Sequence, residues 1–236
     1  MRLAAFAALL LPLAACGEAG AGVPGTGSGP ARQFAVADFT AVAATGSDDV
    51  DVRTGGGFSV RAEGDPVALD HLRIWRERNT LRIGNDGSRW VHNVKPATVF
   101  VTMPRIAAAA VAGSGNIVID KVTGGGFKGN SAGSGDLTVH ALAVDSLGLS
   151  IAGSGDMAMT GHARSLDVSV AGSGGVDGAG LAARTASINV LGSGSVRARV
   201  EGAASVAMMG SGSVDLGGKA RCSVTKMGSG SVTCGG

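Results

Sequence analysis

Tyrosine is absent from this 236-residue chain, and six Phe and two Trp are its only aromatics. The two Trp, Trp75 and Trp90, fall in one short region, which excludes a long aromatic platform for stacking sugars. An excess of either charge is also lacking. The formal net charge is +2, and no basic patch is interleaved with aromatics, so nucleic acid is excluded as a partner class. The four histidines, His71, His92, His140 and His162, share no metal-ligand spacing, and none stands beside a nucleophile motif. They read as surface residues. Glycine, by contrast, is abundant, with 41 residues. No strict three-residue period accompanies it, which excludes collagen, and a hydrophobic content of 44% excludes generic disorder.

The N-terminus reads as an export address. Arg2 precedes an apolar run from Leu3 to Ala15 that is too short to span a bilayer as a mature helix. The run ends in Leu13-Ala14-Ala15-Cys16, which resembles a bacterial lipobox. That resemblance implies a lipoprotein signal peptide over 1–15, acylation of Cys16, and a membrane as partner through the lipid. The competing reading is an ordinary secretory signal, with Ala19-Gly20-Ala21 as its cleavage site. No Asp follows Cys16, which resembles the outer-membrane sorting pattern of enteric lipoproteins. Residues 16–32 are rich in Gly, Ala and Pro and read as a flexible tether.

What dominates the rest is a repeat. Gly-Ser-Gly begins at Gly113, Gly133, Gly153, Gly172, Gly192, Gly210 and Gly228, at intervals of 18–20 residues. A fixed period of this length is the mark of a solenoid. The flanks alternate. Apolar residues stand four and six positions after each first Gly (Ile117/Ile119, Leu137/Val139, Met157/Met159) and two, four and six before it (Val170/Val168/Leu166, Ile151/Leu149/Leu147). The residues between are small or polar. Period two means strands with one buried face, and a helix would lose about 1 kcal/mol at each Gly. The expectation is an all-β, single-chain parallel β-helix over 106–236 with seven Gly-Ser-Gly corners, right-handed because parallel crossovers overwhelmingly are. Alternation leaves open whether the coil is flattened or triangular. Residues 33–105 alternate less regularly. They read as a β-rich N-terminal cap or as irregular first coils, with a short helix after Asp65-Pro66 and a degenerate corner at Gly46-Ser47-Asp48-Asp49.

Two clusters are candidate sites. Asn116, Asp136 and Asp156 each follow a triplet, so they should form a column on the outside of one corner. Stacked carboxylates there could take a divalent cation, with Asn116 as a third oxygen. Calcium wants six or more oxygens, so the expected role is capping of corner amides, with no metal and no cofactor. Cys222 and Cys234 occupy inward positions of the last coil. An oxidising compartment favours a disulfide over two buried thiols, and no nearby His supports zinc. Lys226 takes an inward slot in the same coil, which suits a terminal coil facing solvent. Gly-Ser-Gly is not the G-x-S-x-G nucleophile elbow, which needs a strand-to-helix turn. A polysaccharide-acting enzyme needs carboxylates converging in one groove, and Asp136/Asp156 is the only pair.

The stretch from "FTAVAATGSDDVDV" through "NTLRIG" and "VFVTMPRIAAAAVAGSGNIVI" into the later coils resembles the DUF2807 family of bacterial adhesin-like proteins. The resemblance runs from about Phe34 to Gly236, and the "MPRI" strand before the first "GSGN" carries it best. It implies an exported envelope β-solenoid, often lipid-anchored, and brings no catalytic motif. The functional expectation is a non-enzymatic adhesin or envelope interaction protein that contacts polysaccharide or an envelope protein. The alternatives are a polysaccharide-acting enzyme and an envelope stress-sensing or scaffold protein.

Overall fold

The computed structural model describes residues 22–87, 94–217 and 219–235. The signal segment, Cys16, Ala19-Gly20-Ala21, Trp90 and His92 lie outside the described residues. In chain order the elements are β1 (Ala31–Phe34), β2 (Ala41–Gly46), β3 (Asp49–Thr54), β4 (Ser59–Glu63), α1 (Pro66–His71), β5 (Leu72–Glu77), β6 (Thr80–Asn85), β7 (Thr98–Met103) and β8 (Ala108–Gly113). Then come β9 (Ile117–Gly133), β10 (Leu137–Gly153), β11 (Met157–Gly172), β12 (Gly175–Gly192), β13 (Ser195–Val200), β14 (Ala203–Gly210), β15 (Ser213–Asp215), β16 (Arg221–Met227) and β17 (Ser231–Thr233).

These strands form a β-solenoid of about 6 turns. From β8 onward each coil pairs in parallel with the next, for example Leu137 with Met157 and Met157 with Val176. The inward positions expected from alternation are buried. Ile117, Leu137, Met157 and Val168 are each 0% exposed. The coil has three sides. In β10 the buried residues fall in three runs, Leu137/Val139, Leu142/Val144 and Leu147/Leu149/Ile151, with two exposed residues between successive runs. The same three runs recur in β12 as Val176/Gly178, Leu181/Ala183 and Ala186/Ile188/Val190. Faces one, two and three follow in that order after each Gly-Ser-Gly corner.

The corner explains its own composition. Ser154 N–H and Gly155 N–H both donate to the Gly133 carbonyl one coil earlier, at 2.8 and 3.1 Å. Ser134/Gly135 and Ser173/Gly174 repeat this toward Gly113 and Gly153. Two donors reach one oxygen only if the first Gly turns left-handed, as Gly153 does at φ +138°. Coils pack so closely there that a Cβ on Gly155 would lie 2.3 Å from the Gly135 carbonyl oxygen.

Volume is balanced within the column of coils. Gly129 occupies an inward slot, and Phe127, 1% exposed, fills the same coil two positions earlier. A Cβ on Gly129 would meet Leu137 Cδ2 at 2.8 Å and Leu149 Cδ2 at 3.0 Å, so the neighbouring coil already fills that space.

The N-terminal region combines both readings, irregular coils and a cap. Gly46 stands beneath Gly113, so the degenerate corner belongs to the same column. The coils are then stacked out of sequence order. β6 and β7 pair in parallel with β2 and β3 on the side away from β8 and β9, so the outermost coil comes later in the chain than the one it covers. Antiparallel strands close that end: β5 on β6, β4 on β7 and β1 on β4. These strands cover the edge of the outer parallel coil, which would otherwise invite pairing with other chains. α1 begins as expected, with the Asp65 side chain accepting from Val67 N–H at 2.8 Å.

Residues 22–32 correct the tether reading. Val23 N–H donates to Ile74 O, Thr26 pairs with Gln33, and Arg32 meets the Asp70 carboxylate at 3.1 Å. The small residues here do not leave the chain free. Val23 packs on the core, and β1 carries the buried Phe34.

Asp48 clasps the outer coil to the first corner. Its Oδ1 accepts from Ala97 N–H at 2.8 Å, and with the Asn85 amide oriented to donate, Nδ2 lies 2.8 Å from Oδ2. Burial pushes this carboxyl above 3.8; the bonds from Ala97 and Asn85 oppose the rise and the Asp49 charge adds to it. The folded form therefore holds its proton more tightly than the unfolded chain. Ionised Asp48 costs stability above its folded pKa, and that cost is relieved as pH falls, fully so below 3.8. Against an Asp48→Asn variant, wild type should gain unfolding free energy as pH is lowered from neutral toward 4. Parallel pH profiles for the two proteins would refute this.

At the far end the coils shorten to 18 residues. Gly178 pairs with Ala198 but Ala182 with Arg199, so the second face loses its first positions. The last coil is tied by a Cys222–Cys234 disulfide, with the cysteines 12 positions apart. Lys226 stands over Met208 in the inward column, and its Nζ donates to Gly230 O at 2.8 Å. An inward Lys on an edge strand discourages further pairing. Replacing both cysteines by Ser should cost up to about 3 kcal/mol. The loss should be local, with faster amide exchange in β16 and β17 and none in β10 or β11. Uniform acceleration across all coils would contradict it.

Candidate interaction surface

The outward residues of the coils divide by side. After each Gly-Ser-Gly corner runs a polar ladder. Asp49 Oδ1 accepts from Asn116 N–H and Nδ2, Asn116 Oδ1 from Asp136 N–H, Asp136 Oδ1 from Asp156 N–H, and Asp156 Oδ1 from Gly175 N–H, at 2.7–3.0 Å. Each side chain thus binds the backbone of the next coil. Asn116 suits its place because its amide nitrogen also donates to Asp49. The ladder ends where Gly175 offers no further side chain. Among the described residues no three His, Cys, Asp or Glu side chains gather as metal ligands. With one oxygen of each carboxylate committed to an amide, millimolar calcium should leave the melting temperature of the protein unchanged. A rise with calcium that disappears in Asp156→Asn would establish a cation site instead.

The bend between faces two and three carries a second column that is ionic. Val144, Ala163, Ala183 and Val200 are in register, so Asp145, Arg164, Arg184 and Glu201 follow one above another. Arg164 Nη2 lies 3.1 Å from Asp145 Oδ1, with both side chains largely exposed. Among the described residues Arg184 makes no ion pair. This column forms one wall of an open groove of roughly 600 Å³, whose floor holds Ala143, His162 and Ala182 and whose upper end is Gly124. His162 therefore lies in a groove, whereas His71 pairs with Asp86 at 3.2 Å in the cap.

Counting forward from each triplet misses this column, because the bend between the first two faces varies in length. Counting backward finds it. Asp145, Arg164 and Arg184 each stand eight residues before a triplet, and Glu201 nine.

A third column is apolar. Leu191, Met209 and Met227 pair in register just before the last three triplets and are 53, 54 and 65% exposed. The earlier coils carry Ala112, Ala132, Ala152 and Ala171 at that position.

Several solved structures share this fold. A putative adhesin from Bacteroides fragilis is similar over 86% of this chain and 95% of its own, at 20% identity and a TM-score of 0.79. A putative lipid binding protein from Parabacteroides distasonis is similar over 89% and 97%, at 23% identity and a TM-score of 0.68. A putative adhesin from Parabacteroides merdae is similar over 86% and 94%, at 19% identity and the same TM-score. At these identities the likeness is one of fold. No curated protein matches the sequence. A family model does match, over residues 38–220, which takes in the outer coil, the first corner and all but the last coil. On that match the chain belongs to the DUF2807 family, described as putative auto-transporter adhesin, head GIN domain.

Proposed function

We propose that this protein is a non-enzymatic, lipid-anchored β-solenoid of the bacterial cell envelope that serves as a rigid adhesive or interaction surface. The observation that carries the reading is membership of an adhesin-like family. The lateral surface supports it: the coils offer long columns of outward side chains, and the two aspartates that could have formed a catalytic pair are bound to backbone amides. The Leu13-Ala14-Ala15-Cys16 segment supports the anchor. An acyl chain on Cys16 would hold the protein by hydrocarbon burial, and more than one chain is needed for stable attachment. The cap end is then nearer the membrane in sequence, and the coils extend away from it.

A tagged full chain and its Cys16→Ser variant, expressed in a Gram-negative host and fractionated, test the anchor. Wild type is expected in the outer-membrane fraction and the variant in the soluble periplasm. Equal membrane recovery of both proteins would reject lipidation at Cys16.

A further inference from the structure

Charge is sorted around the cross-section of the solenoid. Over residues 117–215 the corner and first face carry Asp136, Asp156, Asp177 and Asp215 against Arg197, four acids to one base. Over the same residues the side spanning the second face and its two bends carries Lys121, Arg164, Arg184 and Arg199 against Asp120, Asp145 and Glu201, four bases to three acids. The groove described above lies on this side, and its own lining holds Arg164 and Arg184 with Asp145 and Glu201 at the two ends of their column. Its two cations are stacked in register rather than scattered, since Arg164 and Arg184 occupy one column on successive coils. Successive coils are about 4.8 Å apart.

We infer that this groove binds an acidic polysaccharide, laid along the solenoid axis with its carboxylates against Arg164 and Arg184. The inference rests on the adhesive reading and names its ligand class. Four observations carry it. Arginine forks match carboxylates bidentately, and two of them one coil apart suit a polymer that repeats its charge. Arg184 has no ion-pair partner among the described residues, and the Arg164–Asp145 pair is exposed and so readily exchanged for a ligand carboxylate. The floor holds His162 between Ala143 and Ala182, with Gly124 at the end, so a sugar ring can approach the backbone on either side of an imidazole that can hydrogen-bond to its hydroxyls. The groove crosses several coils and is open, which fits a chain and not an enclosed small molecule. Nucleic acid fits poorly, because no Phe, Tyr or Trp follows Phe127 to form a stacking platform for successive bases.

Affinity electrophoresis of the full chain through gels containing polygalacturonate, dextran or single-stranded DNA tests this. Retardation is expected with polygalacturonate alone, weakening as salt is raised. Arg184→Glu combined with Arg164→Gln should raise the apparent Kd at least tenfold without lowering the melting temperature, since both side chains are on the surface. Arg184→Lys, which keeps the charge but loses the fork, should fall between. Asp136→Asn on the acidic side should bind as wild type does. Equal retardation by dextran or by DNA, or unchanged binding in the double variant, would overturn the inference. If binding fails while Cys16→Ser still releases the protein from the membrane, the ligand class is wrong and the envelope reading stands.

Discussion

Gly153→Ala is expected to destabilise the solenoid by about 4 kcal/mol. Two separate costs add at this position. The residue sits at φ +138°, where an L side chain is strained by about 1–3 kcal/mol. Its new Cβ would also lie 2.3 Å from the Gly133 carbonyl oxygen, which is itself the acceptor for Ser154 and Gly155. Relief requires two packed coils to separate, and overpacking of this kind costs about 1–3 kcal/mol. Gly148→Ala is the control. It lies on an outward strand position of the adjoining side, its Cβ would meet nothing closer than Lys128 Cγ at 3.8 Å, and its φ is ordinary. Urea unfolding should separate the two variants clearly, with Gly148→Ala close to wild type. A loss below about 1 kcal/mol for Gly153→Ala would mean that the corner tolerates a side chain, and the account of the triplet would be wrong.

The second large effect concerns where the core ends. Met157 is 0% exposed and lies between Leu137 and Val176 in the inward column. Its sulfur also faces the space above Gly129, 3.6 Å from where a Cβ would be, so a flexible thioether fills a gap that a branched side chain would not. Met157→Ala should cost about 2–5 kcal/mol, as buried truncations do. Met227 is 65% exposed on the last coil, and the same substitution there should change stability by less than about 0.5 kcal/mol. Two methionines with the same alternating neighbourhood thus differ because one column is inward and the other outward. Similar losses for both would contradict the assigned register.

Much of this was legible because the two periods in the sequence are independent and agree. The triplet interval gives the coil, and the alternation around it gives the inward face, so the inward placement of Leu166, Val168 and Val170 follows from the sequence alone. The corner at Gly46 was legible too, despite having Asp48 where the other corners have Gly. The three-sided section was not, because exposed pairs such as Ala141 beside His140 interrupt alternation no more visibly than the Gly and Ala around them. The stacking order of the N-terminal coils was hidden for a different reason. Alternation in β2, β3, β6 and β7 shows that each has a buried face, but not which neighbour covers which edge. The docking of residues 22–32 was missed because their contacts are mainly backbone hydrogen bonds, which composition does not report. The ionic column escaped because it keeps register with the following triplet and not with the preceding one.

The central claim is that successive coils stack in parallel, one corner above the next. Nitroxide pairs placed on the exposed corner serines test it most directly, with Ser114→Cys as one site and Ser193→Cys or Ser229→Cys as the other. These sites are separated by four and six coils, so the distances should centre near 19 and 29 Å, rising by about 4.8 Å per coil. Distances that fail to rise with the number of intervening triplets would contradict the stack, and with it the columns on which every surface argument depends.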